Sequence, residues 1–145
     1  MLVVEPARKE DVEAVSRLAA RTLSEQYDPR WLAAHMGEGS PFWVARDVRT
    51  NQLVGFALAD REGVEGHLLA IGVDKANRSR GIGSALVKTV RTDLAKAGAY
   101  RLRLEVRADD PAAQAFYARH GFAPEGLEEA VYRDGGDAVM MARPL

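Results

Sequence analysis

The chain has 145 residues, 47% of them apolar and 28% charged, enough to bury one core and too few for two ordinary domains, so a single domain over 1–145 is expected. A formal net charge of -1 and an isoelectric point near 6.3 argue against a dedicated nucleic-acid binder, and the absence of cysteine excludes disulfides, thiolate metal ligands and a cysteine nucleophile. Met1 to Val4 runs straight into Glu5, Arg8, Lys9, Glu10 and Asp11 without the apolar core of a signal peptide, and no apolar run approaches membrane-spanning length, so a soluble, cytoplasmic protein is expected.

In chain order, residues 2–4 read as a short strand. Val12, Val15, Leu18, Ala19 and Leu23 then recur at helical spacing, with Asp11 placed to favour the helix start. Pro29 opens a short helical piece to Met36, and the run 37–41 breaks it. Residues 42–45 and 53–58 are strand-like and joined through a hairpin turn at 49–52. A polar break over 60–66 leads to His67, Leu68, Leu69, Ala70, Ile71, Gly72 and Val73, the central strand candidate. Ile82, Leu86, Val90 and Leu94 follow at i, i+4 spacing, the firmest helical signal in the chain, and Gly98 sits where a helix-ending glycine belongs. Over 101–106 the period is two, with Leu102, Leu104 and Val106 on one face and Arg101, Arg103 and Glu105 on the other. Pro111 suits the first turn of a helix to about His120, ended by Gly121. Residues from Phe122 and again 138–142 read as strands around a long polar stretch containing Asp134, Gly135, Gly136 and Asp137. With no repeat or linker, this order predicts an α/β (α+β) layer fold with some parallel pairing.

Between the central strand and the long helix lies Arg78-Ser79-Arg80-Gly81-Ile82-Gly83. Its glycines allow close backbone approach, the first N–H groups of a helix point outward and two arginines add positive charge, so the junction reads as a phosphate cradle; an ordinary arginine-rich turn is the alternative. A dinucleotide fingerprint needs three glycines and a later acid, and a nucleoside-triphosphate loop needs Gly-Lys-Ser/Thr where Gly83-Ser84-Ala85 stands, so both are disfavoured.

With these motifs the chain resembles an N-acetyltransferase of the GNAT superfamily, from about Val44 to Leu145. Arg78, Gly81 and Gly83 match the superfamily's Arg/Gln-x-x-Gly-x-Gly/Ala motif and follow Ile71-Gly72-Val73-Asp74 as its fourth strand would. Leu104-Glu105-Val106-Arg107-Ala108 and Ala115-Phe116-Tyr117-Ala118-Arg119-His120-Gly121-Phe122 resemble the fifth strand and fourth helix of its bacterial ribosomal-protein-alanine acetyltransferase branch. The resemblance implies a mixed central sheet of six to seven strands flanked by about four helices, with a splay between strands four and five. It implies acetyl-coenzyme A as acetyl donor, its pyrophosphate on the amides of Arg78, Ser79, Arg80, Gly81, Ile82, Gly83 and Ser84, and its pantetheine arm beside Ile71, Gly72 and Val73. No metal is implied.

Acetyl transfer from a thioester to an amine needs a neutral amine, a stabilised oxyanion and a proton for the departing thiolate. The resemblance carries the general base onto Glu105 and the general acid onto Tyr117, and backbone amides near Ile71 to Val73 would serve the oxyanion. Read from the residues alone, Glu105 is equally a strand carboxylate paired with Arg103 or Arg107, and Tyr117 a half-buried packing aromatic beside Phe116. His67 is expected to face solvent or cap its strand, although it could relay a proton, and His35 and His120 look structural. Asp110 stands where the ribosomal branch has a coenzyme-contacting asparagine. Glu128, Glu129 and Val131 replace the arginines and tyrosine that shape its acceptor site, with Tyr132 kept. Together with Glu62 and Glu65, these acids could draw a cationic amine or basic peptide.

The expected activity is direct acetyl transfer to a primary amine, favouring a protein or peptide N-terminal α-amino group. A small-molecule amine is the alternative acceptor, and a non-catalytic acyl-coenzyme A sensor the alternative class. The other expectations are no nucleic-acid or membrane partner and a monomer or homodimer.

Overall fold

Seven strands form one mixed sheet in the order β1-β2-β3-β4-β5-β7-β6 in the computed structural model, which describes residues 1–23, 26–37 and 40–145. The strands are β1 (Leu2–Pro6), β2 (Phe42–Asp47), β3 (Gln52–Glu62), β4 (Glu65–Val73), β5 (Arg101–Arg107), β6 (Ala123–Glu128) and β7 (Ala138–Pro144). The helices are α1 (Val12–Leu23), α2 (Pro29–Ala34), α3 (Ile82–Lys96) and α4 (Pro111–Arg119). This is the sheet and helix complement implied by the resemblance. Part of the break at 37–41 lies outside the described residues.

Two apolar clusters hold helices to opposite faces of the sheet. Val15, Leu18 and Ala19 of α1 and Leu32 of α2 pack with Val44, Phe56 and Leu58. Leu86, Val90 and Leu94 of α3 pack with Ala57, Leu102 and Leu104. The i, i+4 stripe of α3 is fully buried, each of its leucines and valines contributing roughly 1.5–3 kcal/mol relative to exposure. Glycine permits the tight helix–sheet approach: a Cβ at Gly66 would lie 2.8 Å from Leu94, and one at Gly72 would lie 2.7 Å from the Thr22 hydroxyl.

Two local readings are corrected. The polar run 60–66 is not a break but the tip of a hairpin: β3 extends to Glu62, β4 begins at Glu65, and Gly63 takes the left-handed conformation (φ 61°) that the tight turn needs. Polarity misled because both strand ends project beyond the helices into solvent. Asp11 does not simply favour the start of α1; it is buried at the end of a 3₁₀ turn, accepting from the Arg8 amide and from Arg46 Nη2 at 2.8 Å. Arg46 also donates to Glu5 at 2.8 Å, so one buried guanidinium ties β1, β2 and the entry to α1 together. Removing one member of such a buried pair costs about 3–5 kcal/mol.

The site is set by how β4 and β5 part. These parallel strands pair only at Glu65 with Arg101, Gly66 with Leu102 and His67 with Arg103. Beyond that point β4 runs on to Val73 and β5 to Arg107 without pairing to each other, so the sheet forks. One edge of each strand is left open in the fork. β4 is also bulged: Leu58 pairs with Ala70 and Ala59 with Leu68, leaving Leu69 unopposed. The extra residue turns Ile71 and Val73 toward the α3 face, where they pack on its core.

Candidate active site

A cleft of about 460 Å³ opens at the fork. The end of β4 (Ile71, Gly72, Val73) forms one wall, the loop and first turn of α3 (Asn77, Arg78, Ser79, Gly81, Ile82, Gly83, Ser84) the floor, and α4 (Ala113, Phe116, Tyr117, Arg119) the other wall, with Asp110 at its rim. Gly81 has φ 78°, and a Cβ there would meet no protein atom within 4 Å. The room around it belongs to the cleft, as a backbone cradle requires. Ser79 also has positive φ (66°), a strained turn that lifts the chain into the helix start. The first helical bond back runs from the Ala85 amide to the Gly81 carbonyl, so the preceding amides have no helical acceptor and suit an anion. Gly83 lets Phe116 pack closely on the helix: a Cβ there would lie 3.1 Å from its ring, so the ring would have to shift by a few tenths of an ångström.

The two arginines of this segment behave differently. Arg78 lines the cleft and is steadied by a 3.2 Å bond from Nε to the Val73 carbonyl. Arg80 is not among the lining residues, and its Nη1 donates to Asn77 Oδ1 at 2.9 Å. Asp110 caps α4, accepting from the Ala113 amide at 3.0 Å.

Tyr117 is half-buried on the α3 side, edge-on to Phe116 and Phe122, and its hydroxyl has no hydrogen bond to another described residue. Burial, then the charges of Asp110 and Tyr132, push its phenol well above the usual tyrosine range, so it keeps its proton. Glu105 lies on the opposite face, since Leu102, Leu104 and Val106 take the α3 side of β5. The fork passes through the sheet between them.

Glu105 is not a free carboxylate. Its Oε1 accepts from Arg103 Nη1 at 2.7 Å, and its Oε2 lies 2.5 Å from His67 Nε2. Arg103 in turn pairs with Glu65 at 2.7 Å, and Arg101 bridges Glu65 and Glu125. The pairing with Arg103 read from the sequence is therefore present, whereas Arg107 turns away to Asp109 and Asp134. His67, expected to face solvent or cap its strand, is instead bonded to Glu105 at the last paired position before the fork. The period-two pattern puts Glu105 on the right face but cannot reveal a partner 38 residues away. His120 shares a 2.9 Å bond with the Ser84 hydroxyl beside the cradle.

A family model described as "Acetyltransferase (GNAT) family" matches residues 10–122. The chain belongs to the GNAT family. An N-alpha-acetyltransferase of Saccharolobus solfataricus is 30% identical over 156 residues, covering 96% of this chain and 90% of that protein. The crystal structure of the Escherichia coli ribosomal-protein-S18-alanine N-acetyltransferase superposes with a TM-score of 0.87 at 28% identity, over 99% of this chain and 94% of that one. That of Ard1 from Thermoplasma volcanium superposes with 0.90 at 27%, over 99% and 97%. The forked seven-stranded sheet is thus the GNAT fold, and this GNAT chain departs in none of its elements from the architecture its motifs imply.

Proposed function

We propose that the protein transfers an acetyl group from acetyl-coenzyme A to a primary amine, favouring the N-terminal α-amino group of a protein or peptide, in the cytoplasm. The observation that carries this reading is the fork. A slot opens immediately past His67, with a cradle of free helix amides at its α3 side and a fixed carboxylate on its opposite face. The relatives named for N-alpha and ribosomal-protein-alanine acetylation support the acceptor class.

Acetyl-coenzyme A supplies the acetyl group as a thioester. The amides of Gly81 to Ser84 and the Arg78 guanidinium bind its pyrophosphate, with Ser79 and Asp110 at the rim. The open edge of β4 around Ile71 and Val73 orients the pantetheine arm and offers N–H groups to the carbonyl oxygen as negative charge develops there. Glu105 takes a proton from the incoming ammonium. Each of its oxygens already accepts one bond but retains a second acceptor site, so the pairings orient it without closing it. The new C–N bond then forms as the C–S bond breaks, and Tyr117, held protonated by burial, gives its proton to the departing sulfur. Exposed Glu62, Glu128 and Glu129, which make no ion pair among the described residues, give the acceptor side an acidic rim suited to a cationic amine.

The test is coenzyme A release with acetyl-coenzyme A and a panel of free-N-terminus peptides, N-blocked peptides and small amines. Acetylation confined to free α-amino groups is expected. Turnover only with small amines would overturn the acceptor, and acetyl-coenzyme A binding with no turnover on any amine would leave a binding module.

A further inference from the structure

A second cavity, of about 360 Å³, lies at the opposite end of α3 from the cradle and shares no lining residue with the cleft. Since α3 spans 15 residues, the two sites stand roughly 20 Å apart along its axis. The walls are largely apolar: Met36 after α2, Pro41, Phe42 and Trp43 at the entry to β2, and Leu94 and Ala97 of α3. Phe42 belongs to one apolar cluster and Leu94 to the other, so the core on both faces of the sheet fixes these walls in place. The cavity is therefore preformed, and its volume lies at the lower end of the range for small-ligand pockets.

Among the described residues this lining carries two charged side chains, one of each sign: Asp93 and Lys96, both in the last turn of α3. The helix dipole favours Lys96 there and disfavours Asp93. Asp93 nevertheless has only a neutral partner, since its Oδ2 accepts from Trp43 Nε1 at 2.6 Å while its Oδ1 accepts no bond among the described residues. An acid and a base at i, i+3 spacing are placed to pair with each other on a helix surface. These two form no ion pair, so both charges remain available to the cavity. Trp43 holds the carboxylate in one orientation, which reduces the ordering that a ligand would have to supply.

We propose that this cavity binds a free α-amino acid with an apolar side chain, its ammonium on Asp93 Oδ1, its carboxylate on Lys96 and its side chain against Met36, Phe42 and Trp43. An apolar amine would leave Lys96 unbalanced beside a second cation, and an apolar acid would bring its charge up to Asp93. A zwitterion answers both charges at once. The site does not draw on the acetyl transfer proposed above, and α3 is the element that the two sites share.

The experiment measures binding of L-leucine, L-phenylalanine, L-leucinamide and N-acetyl-L-leucine by calorimetry, without acetyl-coenzyme A. The proteins are the wild type, Asp93→Asn, Lys96→Met and Ala97→Trp, with melting temperatures reporting that each is folded. Both free amino acids should bind the wild type with Kd below about 1 mM, and loss of the carboxylate in leucinamide or of the ammonium in N-acetylleucine should weaken binding about tenfold. Asp93→Asn keeps an acceptor for the Trp43 indole and should bind leucine about tenfold more weakly, with N-acetylleucine affinity unchanged. Lys96→Met should weaken leucine to the same degree and leave leucinamide unchanged. Ala97→Trp places a large ring in the cavity from an exposed position and should abolish leucine binding. Absence of leucine and phenylalanine binding to the wild type at about 10 mM overturns the proposal, and so does leucine affinity that is the same in the wild type, Asp93→Asn and Lys96→Met.

Discussion

The two sides of the fork are built from different materials. On the side proposed to hold the donor, the Gly81 turn, the free amides of α3 and the open edge of β4 are backbone, and the arginines are accessories. On the side proposed to meet the acceptor, the strand edge is held by side chains reaching between elements: Glu65 to Arg103 and Arg101, Glu105 to Arg103 and His67, Glu125 to Arg101. A backbone site tolerates almost any change of side chain and no change of backbone conformation. A side-chain lattice has the opposite sensitivity, and can be rewritten for a new acceptor without touching the donor.

The sharpest way to break that contrast is Gly81→Val. The φ of 78° is strained for any β-branched residue, and the added atoms would enter the cleft because no protein atom stands in their way. Acetyl-coenzyme A affinity, measured by calorimetry, should fall by more than about a hundredfold, while backbone strain lowers the melting temperature by only several degrees and leaves the variant folded at the temperature of the measurement. Retained affinity would move the donor away from the α3 turn. Next in size are the proton carriers on the two faces. Tyr117→Phe and Glu105→Gln should each lower kcat about a hundredfold with acetyl-coenzyme A affinity nearly unchanged. They should differ in one respect: Glu105→Gln can keep the bond to His67, so His67→Gln in that background should add little, whereas in the Tyr117→Phe background the two losses should multiply. Unchanged kcat in either single variant would remove that residue from the proposed chemistry.

The same contrast explains what was legible in the sequence. Arg78, Gly81 and Gly83 act within a few residues of one another, and the burial stripe of α3 and the alternation of β5 are periodic, so local pattern exposes them. The bulge at Leu69 is invisible because Leu68, Leu69 and Ala70 are all apolar and carry no alternation to interrupt. The partners of Glu105, and the buried Asp11 and Arg46 with the half-buried Glu5, join residues 35 to 41 apart, or alternatives two apart that pattern cannot rank. His67 carried one usable signal: it lies near the start of the strand that the crossover lays beside β5, so a parallel reading of β4 and β5 brings it near Glu105.

The smallest effect is expected where the acceptor lattice is most exposed. Arg107 bonds Asp109 at 3.0 Å and Asp134 at 2.7 Å and lies 4.6 Å from the Tyr132 ring centroid, while the Ala108 amide donates to the Asp137 carbonyl. It fastens the loop between β6 and β7 to the end of β5, and Tyr132 of that loop acts on the half-buried Tyr117. The bond from Arg107 holds Asp109 below the usual carboxylate range. At Asp134 the Gly136 amide does so first and Arg107 second. Because these folded-state values are depressed, the latch is fully present above the ordinary carboxylate range and is lost only as pH falls through the lowered values. Arg107→Met should therefore raise KM for a peptide acceptor several-fold, about 3 to 10, equally at every pH from about 6 to 9, with kcat and acetyl-coenzyme A affinity unchanged. Arg107→Lys keeps the charge but loses the fork that grips Asp109 and Asp134 together, so its KM should fall between the two. A fall in kcat with unchanged KM would instead make the loop part of the donor side, and the division between backbone and side-chain walls would fail at the residue where it is easiest to test.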